Sequence, residues 1–279
     1  MSFGLLRIEG IWTALSPIVH GGNEKTGSTV LLNRRRFLVG DRVLEIPIIS
    51  GNAIRGYLRR LLMADFLKQV GYEIDTTKKS GLRLYHALFT GGLLETVEAK
   101  DSGVIDIEFK KRVVTFIPPA VLFGFSYANQ TIESKLKVGM ALPICRELKE
   151  YLPDHIEPKR SFYDLIDTPF QTRKDDLKAE REKGEQAVQM IIDYEAFAAG
   201  TKFYHEFKIE DPTKLDISTF ARMLELWEQK PFIGGKSAIG FGEIRFKYDF
   251  DGTSEAYLAF LDENKDEIVD ILKTLEGRK

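Results

Sequence analysis

Cysteine is almost absent from this 279-residue chain. The single Cys145 rules out an internal disulfide framework and fits the reducing cytoplasm. No apolar run approaches the roughly 20 residues that span a bilayer, so no membrane partner is expected. The first residues, Met1-Ser2-Phe3-Gly4-Leu5-Leu6-Arg7, lack the basic start and apolar stretch of a secretion signal. An overall surplus of positive charge is missing as well: 40 Lys and Arg stand against 42 Asp and Glu, and the net charge is -2. Any attraction to nucleic acid must therefore come from local charge. The metal-ligand spacings His-Glu-x-x-His and Cys-x-x-Cys do not occur, nor does a Ser-His-Asp arrangement, and no metal or cofactor is expected. Cys145 lies in a loop-like stretch without a histidine partner and reads as a bystander.

What is present is enough apolar material for a core, 43% of residues against 29% charged. Charge is unevenly placed. Residues 1–60 hold nine Lys or Arg and four Asp or Glu, whereas residues 250–279 hold four and eight. That asymmetry allows a basic groove on one face and an acidic surface elsewhere.

Period-two alternation over residues 3–15, through Leu6, Ile8, Gly10 and Trp12, predicts a strand. A loop from His20 to Ser28 follows, then a hairpin over 29–46 turning at Gly40-Asp41. Ser50 or Asn52 can cap a helix whose buried stripe is Ile54, Leu58, Leu61, Leu62 and Phe66. Residues 73–112 read as an irregular insertion. Residues 151–189, rich in charge and broken by Pro153, Pro158 and Pro169, read as a protruding, thumb-like extension with little to bury. Order returns with a strand at Met190 to Glu195, and another through Phe203, His205, Phe207 and Ile209. A helix over 214–228, a strand through Ile244, Phe246, Tyr248 and Phe250, and a C-terminal amphipathic helix from Tyr257 to Leu272 complete the chain. Strand, helix, strands, excursion, strand, helix, strand is the order of a single α+β domain over 1–279. Its antiparallel sheet is ferredoxin-like or RRM-like, with helices on one face.

Two motifs carry chemistry. Pro47-Ile48-Ile49-Ser50-Gly51-Asn52 runs into a helix bearing Arg55 and Arg59 one turn apart. Backbone N–H groups and the helix dipole converge at such a junction and suit a phosphate, although a capped helix with two solvated arginines has the same pattern. The second motif, Gly234-Gly235-Lys236-Ser237-Ala238-Ile239-Gly240-Phe241-Gly242, imitates a Walker A loop only in part. The first glycine of that motif is replaced by Lys230, and a strand follows rather than a helix. A glycine-rich turn that lets the backbone approach a nucleic acid or another chain fits it, as does a plain hairpin turn.

Taken with Tyr194-Glu195 and Ala199-Gly200-Thr201-Lys202-Phe203, these motifs resemble the signatures of the RAMP superfamily of CRISPR-associated proteins. The matches span 47–60, 190–209 and 231–246. The chain looks most like the backbone subunits of Cascade-like effector complexes, type I or type IV before type III. The resemblance implies repeated copies along a guide RNA, a target nucleic acid (DNA or RNA), other effector subunits as partners, and a thumb that touches the next copy. His20, Ser50, Asn52, Arg55, Arg59, Gly234, Gly235, Lys236 and Ser237 are the candidate RNA contacts. Thr172, Arg173 and Lys174 are candidate thumb contacts, or part of a solvated charged loop. Arg34, Arg35 and Arg36 border the groove or the target strand, or form an exposed basic hairpin.

An enzyme is the alternative, a RAMP endoribonuclease that cuts target RNA or processes the guide. Some type III backbone subunits cut with an aspartate in the loop after the first strand. Here Ser28-Thr29 occupies that region and Glu24 is the one carboxylate between His20 and Val30, so no cleavage is expected. Guide-processing relatives use a histidine. His20 is the best placed of His20, His86, His155 and His205, for RNA contact or for catalysis, while His205 reads as a core residue between Phe203 and Phe207.

Overall fold

In the first strand alternation produces one wet and one dry face. Along β1 (Leu5–Ala14), Ile8, Gly10, Trp12 and Ala14 are buried and Leu5 and Arg7 are exposed. The structure is a computed structural model and describes residues 4–26, 29–92, 106–127, 130–174 and 189–277. Two hairpins follow, β2 (Gly21–Thr26) with β3 (Thr29–Leu32) and β4 (Arg34–Val39) with β5 (Arg42–Pro47). Helices α1 (Gly51–Val70), α2 (Lys79–Thr90), α3 (Ile107–Phe116) and α4 (Pro118–Phe123) come next. Short strands β6 (Phe125–Tyr127), β7 (Gln130–Ile132), β8 (Leu136–Val138) and β9 (Leu142–Pro143) lead to an excursion holding β10 (Ile166–Asp167), β11 (Phe170–Lys174), β12 (Gln189–Asp193) and β13 (Ala196–Phe197). The chain ends with β14 (Lys202–Glu210), α5 (Lys214–Gln229), β15 (Ile244–Tyr248), α6 (Glu255–Glu263) and α7 (Lys265–Gly277).

The main sheet is antiparallel, ordered β15-β1-β14-β8, with β9 also on β14. Taking β8 and β9 as one broken second strand, the order is last, first, third, second. That is the ferredoxin-like arrangement, so the α+β class read from the sequence is the one that forms. Helices α1 and α5 cover one face. Ile54, Leu58 and Phe66 of α1 and Phe220 and Trp227 of α5 join Ile8, Trp12, Phe203 and Phe207 in one buried cluster. Each such side chain contributes about 1.5–3 kcal/mol by leaving water. Ser50 caps α1 by accepting from the Ala53 N–H, Gly71 ends it at φ 67°, and Thr213 with Asp216 forms a capping box on α5.

A polar chain crosses this otherwise apolar layer. Trp12 Nε1–H donates to Tyr248 Oη at 2.7 Å, Tyr248 Oη bonds His205 Nδ1 at 2.7 Å, and His205 Nε2 bonds the Gly139 carbonyl at 3.1 Å. Indole can only donate and a carbonyl can only accept, so the directions are fixed. The tyrosine hydroxyl donates to Nδ1 and the proton of a neutral His205 sits on Nε2. Room for the Tyr248 ring comes from Gly10, its register partner, where a Cβ would lie 2.4 Å from that ring.

Several local expectations give way. The loop over 20–28 is instead largely the β2–β3 hairpin, held by pairing rather than by an apolar period, and the hairpin expected over 29–46 is β4–β5 alone. In the stretch read as irregular, α2 and the first turns of α3 are helical. They bury Leu84, Ala87, Leu88 and Phe109 in the main core. Between residues 151 and 174 the chain is not starved of apolar surface. Phe162 and Leu165 pack with Phe37, Ile46, Ile48, Cys145 and Leu148 into a second small core. Cys145 is thus core material, and burial pushes its thiol up to about 12. The last strand stops at Tyr248, and Asn264 divides the C-terminal helix in two.

Burial holds the His205 imidazole down to about 3, from an ordinary 6.5. The unfolded chain therefore binds a proton below 6.5 that the folded chain refuses, and this share of stability, complete above that pH, is lost as pH falls. His205→Gln is expected to cost about 1–3 kcal/mol at pH 7 through broken hydrogen bonds. Its deficit relative to wild type in urea melts is expected to shrink between pH 6.5 and 5, and a gap independent of pH would refute the neutral-histidine assignment.

Candidate nucleic-acid interface

Three distant segments meet at one end of the sheet. The turn after β1 lies against the glycine-rich turn before β15: Gly235 N–H donates to the Val19 carbonyl at 2.8 Å and Gly242 N–H to the Pro17 carbonyl at 2.9 Å. The approach is too close for any side chain at Gly234, whose φ is 85° and whose added Cβ would sit 2.4 Å from the Val19 oxygen. On the other side of Val19, the His20 carbonyl accepts from Asn33 N–H and the Asn33 carbonyl from Ile48 N–H, both at 2.8 Å. The turn that opens α1 is thereby tied to the same place.

At the start of α1, Ser50 Oγ accepts from Ala53 N–H at 3.3 Å, and Ser50 N–H donates to His20 Nε2 at 3.1 Å. His20 thus holds its proton on Nδ1, and burial, then the nearby Arg35 charge, lowers its pKa. Gly51 is wedged against the sheet, where a Cβ would be 2.4 Å from the Val138 oxygen and 2.7 Å from that of Gly139. Asn52 is exposed in the first turn and leaves the cap to Ser50. The Gly51 and Asn52 amides have no acceptor among the described residues. A 20-residue helix directs its positive end there, with no acidic residue in its first turn.

The two arginines of α1 turn elsewhere. Arg55 donates to the Phe123 carbonyl; Arg59 donates to the same carbonyl at 2.9 Å and to that of Gly124. Arg59 is buried, lies 5.6 Å from the Phe123 ring centroid, and occupies the space that a Cβ on Gly91 would need. Burial, then the Arg55 charge, pulls it down to about 10. Arg59 as placed offers nothing to a phosphate and works as an internal clamp on the end of α4. Arg55 is half-buried at the edge of that clamp.

Lys236 stands at φ 64°, a left-handed conformation that costs a residue with a Cβ on the order of 1 kcal/mol. Its ammonium lies 4.3 Å from the centroid of the buried Tyr194 ring, and Ser237 begins an exposed single turn, Ser237–Ile239. Next to Tyr194, Glu195 makes a two-pronged bridge to Arg34, at 2.8 Å and 2.9 Å, and its Oε2 accepts from Leu32 N–H at 2.9 Å. Arg34 is therefore a structural partner, whereas Arg35 and Arg36 are exposed, Arg36 pairing with Glu45. The sequence pointed to the Tyr194-Glu195 strand but not to these partners, which lie some 160 residues away or across a turn. Opposite charge at Arg34 and Glu195 was the one available signal.

The remaining candidates are separate. Thr172, Arg173 and Lys174 lie in β11, paired with β12; their side chains, and all of residues 175–188, fall outside the described residues. So do the side chain of Glu24, in β2, and all of Ser28. His86 lies on α2. His155 borders a cavity of about 420 Å³ at the sheet with Glu9, Ile11, Tyr204 and Lys247. Among the described residues no three His, Cys, Asp or Glu side chains are grouped to hold a metal ion, and no helix is long and apolar enough to cross a membrane.

The family model described as the RAMP superfamily matches residues 13–245. No curated protein matches the chain. Among solved structures it is similar to a chain of a "Type IV-B CRISPR Complex", with a TM-score of 0.61 and 22% identity, covering 89% of this chain and 93% of that one.

Breaking the partly buried Arg34–Glu195 bridge leaves one charge uncompensated. Glu195→Gln is expected to destabilise the protein by about 2 kcal/mol, with a smaller loss in the Arg34→Met/Glu195→Gln double variant than the two single losses added together. Chemical denaturation checks both, and strict additivity would show that the pair is not coupled.

Proposed function

The chain belongs to the RAMP superfamily, and we propose that within it this protein is a non-catalytic backbone subunit that binds guide RNA, repeats along it, and supports its pairing with a target strand. The observation that carries this reading is the convergence at Val19–His20. There the open N-terminus of α1, the exposed Arg35 and the Gly234–Ser237 turn with Lys236 all lie within a residue or two of one backbone junction. Helix-terminal amides, a guanidinium and an ammonium are phosphate ligands, and phosphates are common to every guide sequence. Ser50, Asn52, Gly234, Gly235, Lys236 and Ser237 line the RNA backbone, with His20 behind them orienting the Ser50 amide and Arg55 at the margin. In this proposal Thr172, Arg173 and Lys174, on β11, are assigned to contact with the neighbouring copy or the target. Sequence is then read by base pairing, as in other RNA-guided complexes, and the protein reads shape. Its partners are the guide, the target, further copies and other effector subunits in the cytoplasm, in keeping with its likeness to a chain of a type IV-B complex.

The endoribonuclease reading would need His20 as acid or base, but its Nε2 lone pair is taken by the Ser50 amide. Binding without cleavage is the better use of that geometry.

RNAs of stepped length test this directly. Wild type is expected to form particles that grow with RNA length. Lys236→Glu/Arg35→Glu is expected to bind at least tenfold more weakly, by a similar factor for unrelated sequences and with a shallower dependence on salt. Sequence-selective loss, or cleavage abolished by His20→Ala, would overturn the proposal.

A further inference from the structure

The cavity of about 420 Å³ beside His155 plays no part in the interface described above. Strand alternation explains its lining. Ile8, Trp12, Phe203 and Phe207 turn to the helices, so Glu9, Ile11 and Tyr204 stand on the opposite face of the sheet. The register then sorts that face into rows. Thr13 lies between Lys202 and Arg245, Ile11 lies between Tyr204 and Lys247, and Glu9 lies beside Glu206. Asp249 joins the last row through its N–H, which donates to the Glu9 carbonyl at 2.9 Å. Cations therefore lead at the end where β1 runs on toward Val19. An aliphatic and an aromatic side chain lie in the middle, and carboxylates follow.

We propose that this cavity binds a guanine nucleotide, with the phosphate at Lys247, the base against the Tyr204 ring and Ile11, and its Watson–Crick edge at the carboxylates of Glu9 and Asp249. The site stands apart from the guide-RNA reading, since it uses neither the start of α1 nor the glycine-rich turn. Its groups are available. Lys202, Arg245 and Lys247 are exposed and have no ion pair among the described residues, and the exposed Asp249 carboxylate has no partner among them either. Glu206 is not counted, because Lys208 holds it at 2.5 Å. Glu9 accepts from the Tyr204 hydroxyl, which fixes the ring, and a carboxylate keeps lone pairs for further donors. Glu9, Ile11 and Tyr204 are half-buried, so a ring laid against them leaves water on one side.

The carboxylates select the base. An ionised carboxylate only accepts, so it favours the edge that carries neighbouring donors. Guanine presents N1–H and its amino group side by side. Adenine and cytosine each present an amino group next to a bare ring nitrogen, and uracil presents N3–H between two carbonyls that a carboxylate repels. A basic peptide would suit Glu9 and Asp249 but would meet Lys247, Arg245 and Lys202 on the same face. A nucleotide, anionic at one end and a donor at the other, matches both rows. It comes either as a free monophosphate or as an unpaired guanosine within an RNA.

Titration calorimetry of the full chain with GMP, AMP, CMP and UMP tests this, with circular dichroism to confirm that each variant is folded. GMP is expected to bind tightest and UMP about tenfold more weakly. Lys247→Glu is expected to weaken all four by a similar factor, and Lys247→Arg to restore them. Asp249→Asn is expected to remove most of the preference for GMP over UMP. A folded wild type that does not bind GMP, binding without base preference, or a preference unchanged in Asp249→Asn overturns the site. So does an arginine-rich peptide that binds wild type, and not Asp249→Asn, where GMP does not bind. Oligouridine with one central guanosine separates the two sources. Tighter binding than plain oligouridine, lost in Asp249→Asn, assigns the site to RNA; GMP binding without that gain assigns it to the free nucleotide. RNA binding that persists while GMP fails overturns this site and leaves the guide-RNA reading standing. GMP binding in a chain that binds no RNA does the reverse.

Discussion

The hydrogen-bonded chain from Trp12 through Tyr248 and His205 to the Gly139 carbonyl is the constraint on which the rest of the structure depends. It joins β1, β15, β14 and the end of β8 in one line across the sheet, each member satisfied in only one proton arrangement. An unpaired indole, phenol or imidazole inside this layer would cost a few kcal/mol, so the network fixes how the strands stand relative to one another. Its far end is also where α1 begins. Gly51 lies so near the carbonyls of Val138 and Gly139 that no other residue fits without movement. The position of the α1 N-terminus is therefore set by the sheet core, and the chemistry at that terminus inherits the rigidity of the core.

Around that terminus positive charge is gathered without any global surplus. The protein carries two more acidic than basic residues, yet the α1 dipole, Arg35 and Lys236 are brought to one junction with no acid in the first helical turn. Glu195, next to Tyr194, is spent on Arg34 and the Leu32 amide. The field at the start of α1 thus depends on the placement of charge more than on its count.

The sequence showed most clearly what period and punctuation can encode. The alternation in β1 and β14, the apolar stripe of α1, and the two helix-sheet junctions all lie where the residues placed them, because local pattern and tertiary burial agree. Failures share another cause. The β2–β3 hairpin has no apolar period and is held by pairing, while α2 packs on α1 and on α7, the latter far along the chain. Phe162 and Leu165 looked too sparse for a core until β4 and β5 supplied the other half. For Arg59 the motif located the residue but not its direction. A guanidinium at that spacing points to phosphate only if nothing inside competes, and the carbonyls of Phe123 and Gly124 do.

The direction of Arg59 bears on what the start of α1 is left free to do. A buried guanidinium with no carboxylate among its hydrogen-bond partners is costly, and its cost is offset here by carbonyls that the short α4 leaves open at its end. The clamp fastens α4 to the body of α1, while the first turn of α1 stays unobstructed. One helix thus divides its duties along its length. Its middle is committed to internal packing, which needs fixed partners, and its start keeps two amides without an acceptor among the described residues, as the proposed anion contact requires. A ligand recognised by amides and dipole alone is recognised as a phosphate chain of a given curvature, whatever bases it carries.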